Sequence, residues 1–240
     1  MRERKRSFLT TWSLYLAIAV AALVLAWANA GNAQSELSQK ANLAVEITKV
    51  RKANAALMRQ YTWNSRTEIV KDGKVKDIRL DLVNYAPNGE LQRSLMNDQG
   101  APLPFGFLRR AVAKSEKKQL EEYLTGVQGL IEKYTLPTTG KVLDFMISAT
   151  TTGPDAGGLL QTKGNSVVVP GDTLTIWTDA RTGETRKVQV NTFFQGDAVN
   201  LDATFETLRS GLTYMGYSEA KVTAKNLSVQ VQNFNYTRPN

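Results

Sequence analysis

The side chains that could carry out acid–base chemistry in this sequence are chiefly carboxylates, because it contains no histidine and no cysteine. Without these residues it cannot form a Ser-His-Asp or Cys-His catalytic site or the usual structural zinc sites. Two carboxylates a few ångströms apart would suffice for glycoside hydrolysis. However, Asp202 and Glu206 lie about 13 Å apart along one predicted strand, and Asp81 and Asp179 have no partner at a suitable spacing. The sequence therefore favours a protein that is not an enzyme and needs no metal or cofactor, with a carboxylate-based hydrolase as a less favoured alternative.

A predicted helix near the middle of the chain carries the residues that could bind a ligand. An apolar stripe with i, i+3, i+4, i+7 spacing could line a cavity for an acyl chain or could be ordinary core. The candidate cavity residues are Phe107, Leu120, Tyr123, Leu124, Val127, Leu130 and Ile131. Basic side chains near the start of this helix could contact an anionic head group, or they could form a solvated face offset by nearby glutamates. These basic residues are Arg109, Arg110 and Lys114.

The N-terminus has the pattern of an export signal. Residues 1–6 carry four basic side chains, and residues 8–27 carry no charge. Small residues then recur at the spacing that a signal peptidase accepts. We therefore expect a signal peptide over residues 1–33, cleaved after Ala30 or Ala33, and a periplasmic mature protein. An uncleaved membrane anchor is the alternative.

Residues 34–240 are numerous enough for a single domain with a substantial core. Their formal charge is +5, compared with +8 for the whole chain. Because this charge is mild and aromatic residues do not alternate with the bases, we do not expect nucleic-acid binding.

Hydrophobic periodicity predicts the order of the elements in this domain. It predicts a helix over 35–60, a three-strand meander over 61–97, a long helix over 107–134 and a short helix beginning at Thr138 or Thr139. Seven further strands are predicted over 159–162, 166–169, 174–179, 187–194, 199–207, 220–225 and 227–236. A change from odd to even apolar positions predicts a bulge near Gln232 in the last strand. The expected fold is α+β: one strongly curved antiparallel sheet, with helices covering its concave face and a helical insertion at about 107–149.

Two segments of the sequence resemble a known family. Residues 174–190 contain a strand, an Asp-x-x-Thr-Gly turn and a strand that begins basic and becomes apolar, and residues 229–236 form the closing strand. Both segments resemble the LolA/LolB-like superfamily of periplasmic lipoprotein carriers. The resemblance implies a half-open β-barrel in which helices form a lid over a cavity for acyl chains. The long helix over 107–134 departs from the smaller lid expected in that family, which would place the chain in a branch of its own.

The sequence thus predicts a cell-envelope binding protein that holds an acyl chain or other amphiphile in a hydrophobic cavity under a helical lid. The expected partners are a lipid or lipoprotein acyl chain and, transiently, a membrane surface, and the expected state is a monomer. The alternative is a structural or interaction module whose core is filled and binds no ligand. The sequence leaves open the identity of the ligand and of any partner protein.

Overall fold

The computed structural model describes residues 33–98, 107–136 and 138–238, without the side chains of 33–36, 39, 97–98 and 107–117. Of the predicted signal peptide, residues 1–32 lie outside the described residues, and Ala33 begins the first helix. Its cleavage stays a prediction. The helices are α1 (Ala33–Met58), α2 (Phe107–Glu132) and α3 (Thr139–Ser148). The strands are β1 (Thr62–Lys71), β2 (Lys74–Tyr85), β3 (Leu91–Asp98), β4 (Thr150–Thr152), β5 (Leu159–Asn165), β6 (Thr173–Asp179), β7 (Thr185–Phe194), β8 (Asp197–Thr207), β9 (Thr213–Val222) and β10 (Leu227–Thr237). Within the described parts of the chain, no helix combines the length and apolar character needed to span a bilayer.

All ten strands form one antiparallel sheet in the order β3-β2-β1-β10-β9-β8-β7-β6-β5-β4. The sheet is not closed, because β3 and β4 form its two edges. Helices α2 and α3 lie between these edge strands in sequence, and one hydrophobic core contains residues of all three helices together with β1, β2 and β6 to β10. A sheet this wide shares one core only if it curves around it. The predicted α+β fold with an open, curved antiparallel sheet is therefore confirmed.

Two-residue turns set the register of the hairpins. Asp72 and Gly73 between β1 and β2 both have positive φ, 53° and 69°, as the Asp-Gly pair of a tight hairpin turn requires. Gln195 and Gly196 between β7 and β8 repeat this geometry, with φ of 52° and 85°. Because both signals are local, both hairpins were predictable from the sequence.

The predicted strand over 166–169 is wrong, and the reason is a buried carboxylate. Asp172 is fully buried, and its carboxylate accepts hydrogen bonds from the backbone N–H groups of Val167, Val168 and Val169 at 2.6, 2.8 and 2.7 Å. Tyr134, in the 3₁₀ turn after α2, also donates its hydroxyl proton to Asp172 at 2.6 Å. These N–H groups therefore bind a side chain instead of a neighbouring strand.

The end of β10 also differs from the prediction. The register between β1 and β10 shifts between Thr62 and Asn64, where Asn235 adopts a φ of 57°. The irregularity thus lies beyond the predicted position at Gln232. Asn233 consequently remains in line with the buried odd-numbered residues of the strand.

Helix α1 is fixed to the sheet and to α3 by polar contacts as well as by apolar ones. The Asn54 side chain pairs with the backbone of Thr213 through two hydrogen bonds of 2.8 and 2.9 Å. Arg51 donates to the carbonyl oxygen of Leu136 at 2.8 Å, just before α3. The N-cap of α3 is Thr138, whose hydroxyl accepts from the backbone N–H of Lys141, so the predicted start of this helix is confirmed.

Gly126 allows α2 to lie close to the end of β7. A Cβ atom at position 126 would lie 2.1 Å from Cζ of Phe194, whereas one at Gly129 would meet nothing within 4 Å. We expect Gly126→Ala to lower the free energy of unfolding by about 1–3 kcal/mol, because the Phe194 ring would have to move. Gly129→Ala in the same helix is the control and should raise it by about 0.5–1 kcal/mol. Urea unfolding of both variants tests this, and equal effects would contradict the close approach at Gly126.

Candidate functional site

Polar side chains occupy the inner face of the sheet where β10, β1, β2 and β3 lie side by side. Ser65 on β1 lies opposite Asn233 on β10 and Asp81 on β2, and Thr67 lies opposite Arg79. All five are buried. Together with Arg93 of β3, opposite the buried Val83, they form what we call the inner polar cluster. Its members are Ser65, Thr67, Arg79, Asp81, Arg93 and Asn233.

Two guanidinium groups share the carboxylate of Asp81. Nε of Arg79 donates to both of its oxygens, at 2.7 and 2.8 Å, and Nη1 of Arg93 donates to Oδ2 at 3.4 Å. The side chains of Arg93 and Asp81 are 3% and 0% exposed. Burial lowers the pKa of Arg93 to about 10, although the adjacent carboxylate acts in the opposite direction. Arg93 therefore stays charged at neutral pH inside the protein.

Several buried polar atoms in this region have no hydrogen-bond partner among the described residues. They are Nε and Nη2 of Arg93, Oγ of Ser65, Oγ1 of Thr67, Oδ1 of Asn233 and the hydroxyl of Tyr236. More than nine in ten buried polar groups in proteins are hydrogen-bonded. Such a concentration of unpaired donors and acceptors indicates that water or a ligand completes this part of the interior.

An aromatic cluster adjoins the inner polar cluster and is centred on Tyr236. The Tyr236 ring stacks on Trp63 at 5.4 Å and lies 4.1 Å from Tyr214 and 6.4 Å from Tyr61, measured between ring centroids. Tyr85 extends the cluster by its contact with Trp63 at 6.0 Å. Burial raises the pKa of Tyr236, so its phenol keeps its proton and can donate it to a hydrogen bond.

A cleft at the surface lies against the outer member of the aromatic cluster. Its volume is about 480 Å³. It is lined by Arg59, Tyr85, Ala86, Pro87, Asn88 and Gly89. Because Tyr85 lines the cleft and also contacts Trp63, the cleft adjoins the aromatic cluster.

The structure places most of the predicted cavity residues in the core. Leu124, Val127, Leu130 and Ile131 are buried. Leu120 and Tyr123 are half-buried and pack against them. The side chains of Phe107, Arg109, Arg110 and Lys114 lie outside the described residues. A ligand-binding role for this stripe and for its basic residues stays a prediction.

Tyr123 has a polar contact as well as an apolar one. Its hydroxyl donates to Oδ2 of Asp197 at 2.9 Å, and Nζ of Lys225 lies 4.6 Å from its ring centroid. The hydrogen bond from Tyr123, together with Lys225, lowers the pKa of Asp197. Tyr123 thus links α2 to the first residue of β8.

The carboxylates considered for acid–base chemistry are separately engaged. Asp202 pairs with Lys187 at 3.1 Å, Glu206 accepts from the Tyr214 hydroxyl at 2.6 Å, and Asp179 accepts from the backbone of its own turn. Within the described ranges, no group of three acidic side chains could hold a metal ion.

The inner polar cluster was not predicted from the sequence, because β2 buries the opposite face from the one that its apolar residues suggest. Ile78, Leu80 and Leu82 would be the expected inner residues, yet Arg79, Asp81 and Val83 are the buried ones and Leu82 is 39% exposed. The turn at Asp72-Gly73 and a register shift between Ile69 and Val70 fix this orientation. The site becomes recognisable only once the pairing of β2 with β1 is known, because that pairing buries the charged side of the strand.

Comparisons with known proteins yield only distant structural likenesses. No family model matches the chain, and no curated protein sequence matches it. One similar solved structure is a DUF1329 family protein from Desulfovibrio piger, 9% identical over 84% of this chain and 92% of that one, with a TM-score of 0.35. Another is a LolA superfamily protein from Nitrosomonas europaea, 11% identical over 88% and 95%, with a TM-score of 0.34. One of these two structures is thus a LolA superfamily protein.

Proposed function

We propose that this chain is a cell-envelope binding protein that holds an amphiphile against the inner face of its sheet, without covalent chemistry. The observation that supports the proposal is the inner polar cluster, with its unpaired atoms, beside the aromatic cluster. One region offers hydrogen-bond donors and acceptors for a head group, and the other offers apolar surface for a chain. The predicted signal peptide supports the location in the periplasm.

A purely structural role explains the inner polar cluster poorly. Replacing buried ionic groups with apolar residues of similar size is often neutral or stabilising, so a buried salt bridge is weak evidence for stability. In this protein the apolar alternative is already present in β2, since a shift of one residue would bring Ile78, Leu80 and Leu82 inside. The retention of charged residues there favours a role in binding.

The aromatic cluster can supply the affinity for an apolar chain. Burial of a chain contributes about 0.8 kcal/mol per methylene before ordering costs are subtracted. We place the chain of the ligand along Trp63, Tyr85 and Tyr214. The predicted lid residues Phe107, Arg109, Arg110 and Lys114 belong to the first turns of α2, which is separated from the end of β3 by residues 99–106.

Native mass spectrometry tests the proposal. Residues 34–240, purified without detergent, should retain a lipid that dissociates on unfolding, and should bind an acyl-chain fluorophore that added lipid displaces. An apo mass together with no fluorophore binding would instead support an interaction module with a filled core.

Tryptophan emission locates the bound ligand. Beyond residue 33 the chain has two tryptophans, Trp63 in the aromatic cluster and Trp177 beside Lys187. In the Trp177→Phe variant Trp63 is the remaining reporter, and binding of the ligand should shift its emission maximum. In the matched Trp63→Phe variant the emission of Trp177 should stay constant. A shift of Trp177 alone would contradict the proposed position.

A further inference from the structure

We propose that Arg93 binds the carboxylate of a long-chain carboxylic acid. This inference rests on the proposed function and specifies its ligand class. It depends on the unpaired edge of one guanidinium group, the charge around it, and the position of the aromatic cluster.

The free edge of Arg93 has the shape that a carboxylate requires. A guanidinium is planar and carries five N–H donors in fixed directions. In Arg93, Nη1 is directed to Asp81, whereas Nε and Nη2 have no partner within the described parts of the chain. These two nitrogens form one side of the group and can donate two parallel hydrogen bonds to the two oxygens of a carboxylate.

The charge of Arg93 is only partly compensated by the described residues. Asp81 makes its short hydrogen bonds with Arg79, at 2.7 and 2.8 Å, and its contact with Arg93 is longer, at 3.4 Å. The other carboxylate on β2, Asp77, lies opposite Ile69, about 13 Å along the strand from Asp81. With its side chain 3% exposed, Arg93 gains little compensation from solvent. A ligand with a single negative charge would balance it.

The aromatic cluster makes the expected ligand an amphiphile rather than a small acid. Tyr236 lies near Arg93, and its hydroxyl, which has no partner among the described residues, provides a third donor for the head group. The same ring stacks on Trp63 and contacts Tyr214. A carboxylate on Arg93 and Tyr236 would therefore continue into an alkyl chain along the aromatic rings.

Isothermal titration calorimetry with three twelve-carbon ligands tests the head group. The full chain is exported, purified without detergent and titrated with dodecanoate, dodecan-1-ol and dodecyl phosphate. We expect dodecanoate to bind about tenfold or more tightly than dodecan-1-ol, because the charge-assisted hydrogen bonds are absent from the alcohol. Equal affinities would overturn the inference. Tighter binding of dodecyl phosphate than of dodecanoate would also overturn it, in favour of a phosphate head group.

Substitutions assign the preference to Arg93. Arg93→Lys keeps the charge but loses the two-nitrogen edge, and Arg93→Met loses both. Each should abolish the preference for dodecanoate while dodecan-1-ol still binds, and Tyr236→Phe should weaken dodecanoate binding alone. Arg186→Met, at a half-exposed arginine paired with Glu184, is the matched control and should bind as the wild type does.

The outcomes separate this inference from the proposed function. If none of the three ligands binds to the wild-type protein, the proposed function fails. If the alcohol and the acid bind equally well, the protein binds amphiphiles and only the role of Arg93 is overturned. Should Arg93→Met fail to fold, the wild-type titrations and the Tyr236→Phe variant still test whether the protein prefers a carboxylate head group.

Discussion

Replacing Asp81 with alanine is expected to lower the free energy of unfolding by about 3–5 kcal/mol, because it leaves buried guanidinium charge without its counter-ion. Asp81 is fully buried and is the shared acceptor of Arg79 and Arg93. Urea unfolding followed by far-ultraviolet circular dichroism measures the change. The cost should fall when a carboxylate ligand is present, since the ligand supplies a negative charge beside Arg93.

The matched control for this substitution is Asp202→Ala on β8. Asp202 also pairs with a basic residue, Lys187, at 3.1 Å, but both side chains are about two-fifths exposed, at 44% and 40%. Exposed ion pairs contribute about 1 kcal/mol or less. If Asp81→Ala lowered the free energy of unfolding as little as Asp202→Ala does, the inner polar cluster would have to be solvated and its unpaired atoms would need no ligand.

Replacing Leu124 with alanine is expected to lower the free energy of unfolding by about 2–5 kcal/mol, since it leaves a void in a packed interior. The Leu124 side chain is 1% exposed and belongs to the hydrophobic core. Thermal and urea unfolding measure the loss, and the fluorophore displacement assay measures binding by the folded fraction. We expect that binding to be close to that of the wild type.

Leu120→Ala, four residues earlier on the same stripe, is the control. It should lower the free energy of unfolding by less, because Leu120 is only half-buried. The opposite result for Leu124→Ala, unchanged stability with weakened binding, would mean that the stripe lines a cavity as the resemblance implies. The two readouts together therefore decide between the two interpretations that the sequence left open for α2.

Much of the sheet could be predicted because its hairpins are local. The turn residues between β7 and β8 are adjacent in sequence, and the apolar positions of the two strands match, so that Val190 lies opposite Leu201 and Thr192 opposite Val199. The N-cap of α3 at Thr138 was predictable for the same reason. In each case the residues that fix the geometry lie within a few positions of each other.

The rest could not be predicted because it depends on contacts that hydrophobic periodicity does not encode. Residues 166–169 have the composition of a strand, but Asp172 and Tyr134 determine their conformation. Val50 is 40% exposed although its spacing of three from Ile47 would place it on the apolar face of α1, while Ala44 and Met58 are buried. The orientation of β2 follows from its pairing with β1 and thus brings Arg79 and Asp81 inside. Periodicity identified the elements but could not give the contacts between them.

The pairing of β1 with β10 has a consequence for folding kinetics. Ser65 and Asn233 are opposite each other although 168 positions separate them in the sequence, and contacts between such distant residues form slowly because a long loop must first close. The hairpins formed by β1 to β3 and by β6 to β8 need no such closure. We therefore expect the amphiphile site to be among the last parts of the protein to assemble. A ligand that binds there would act on unfolding rather than on early folding, and would prolong the lifetime of the native state.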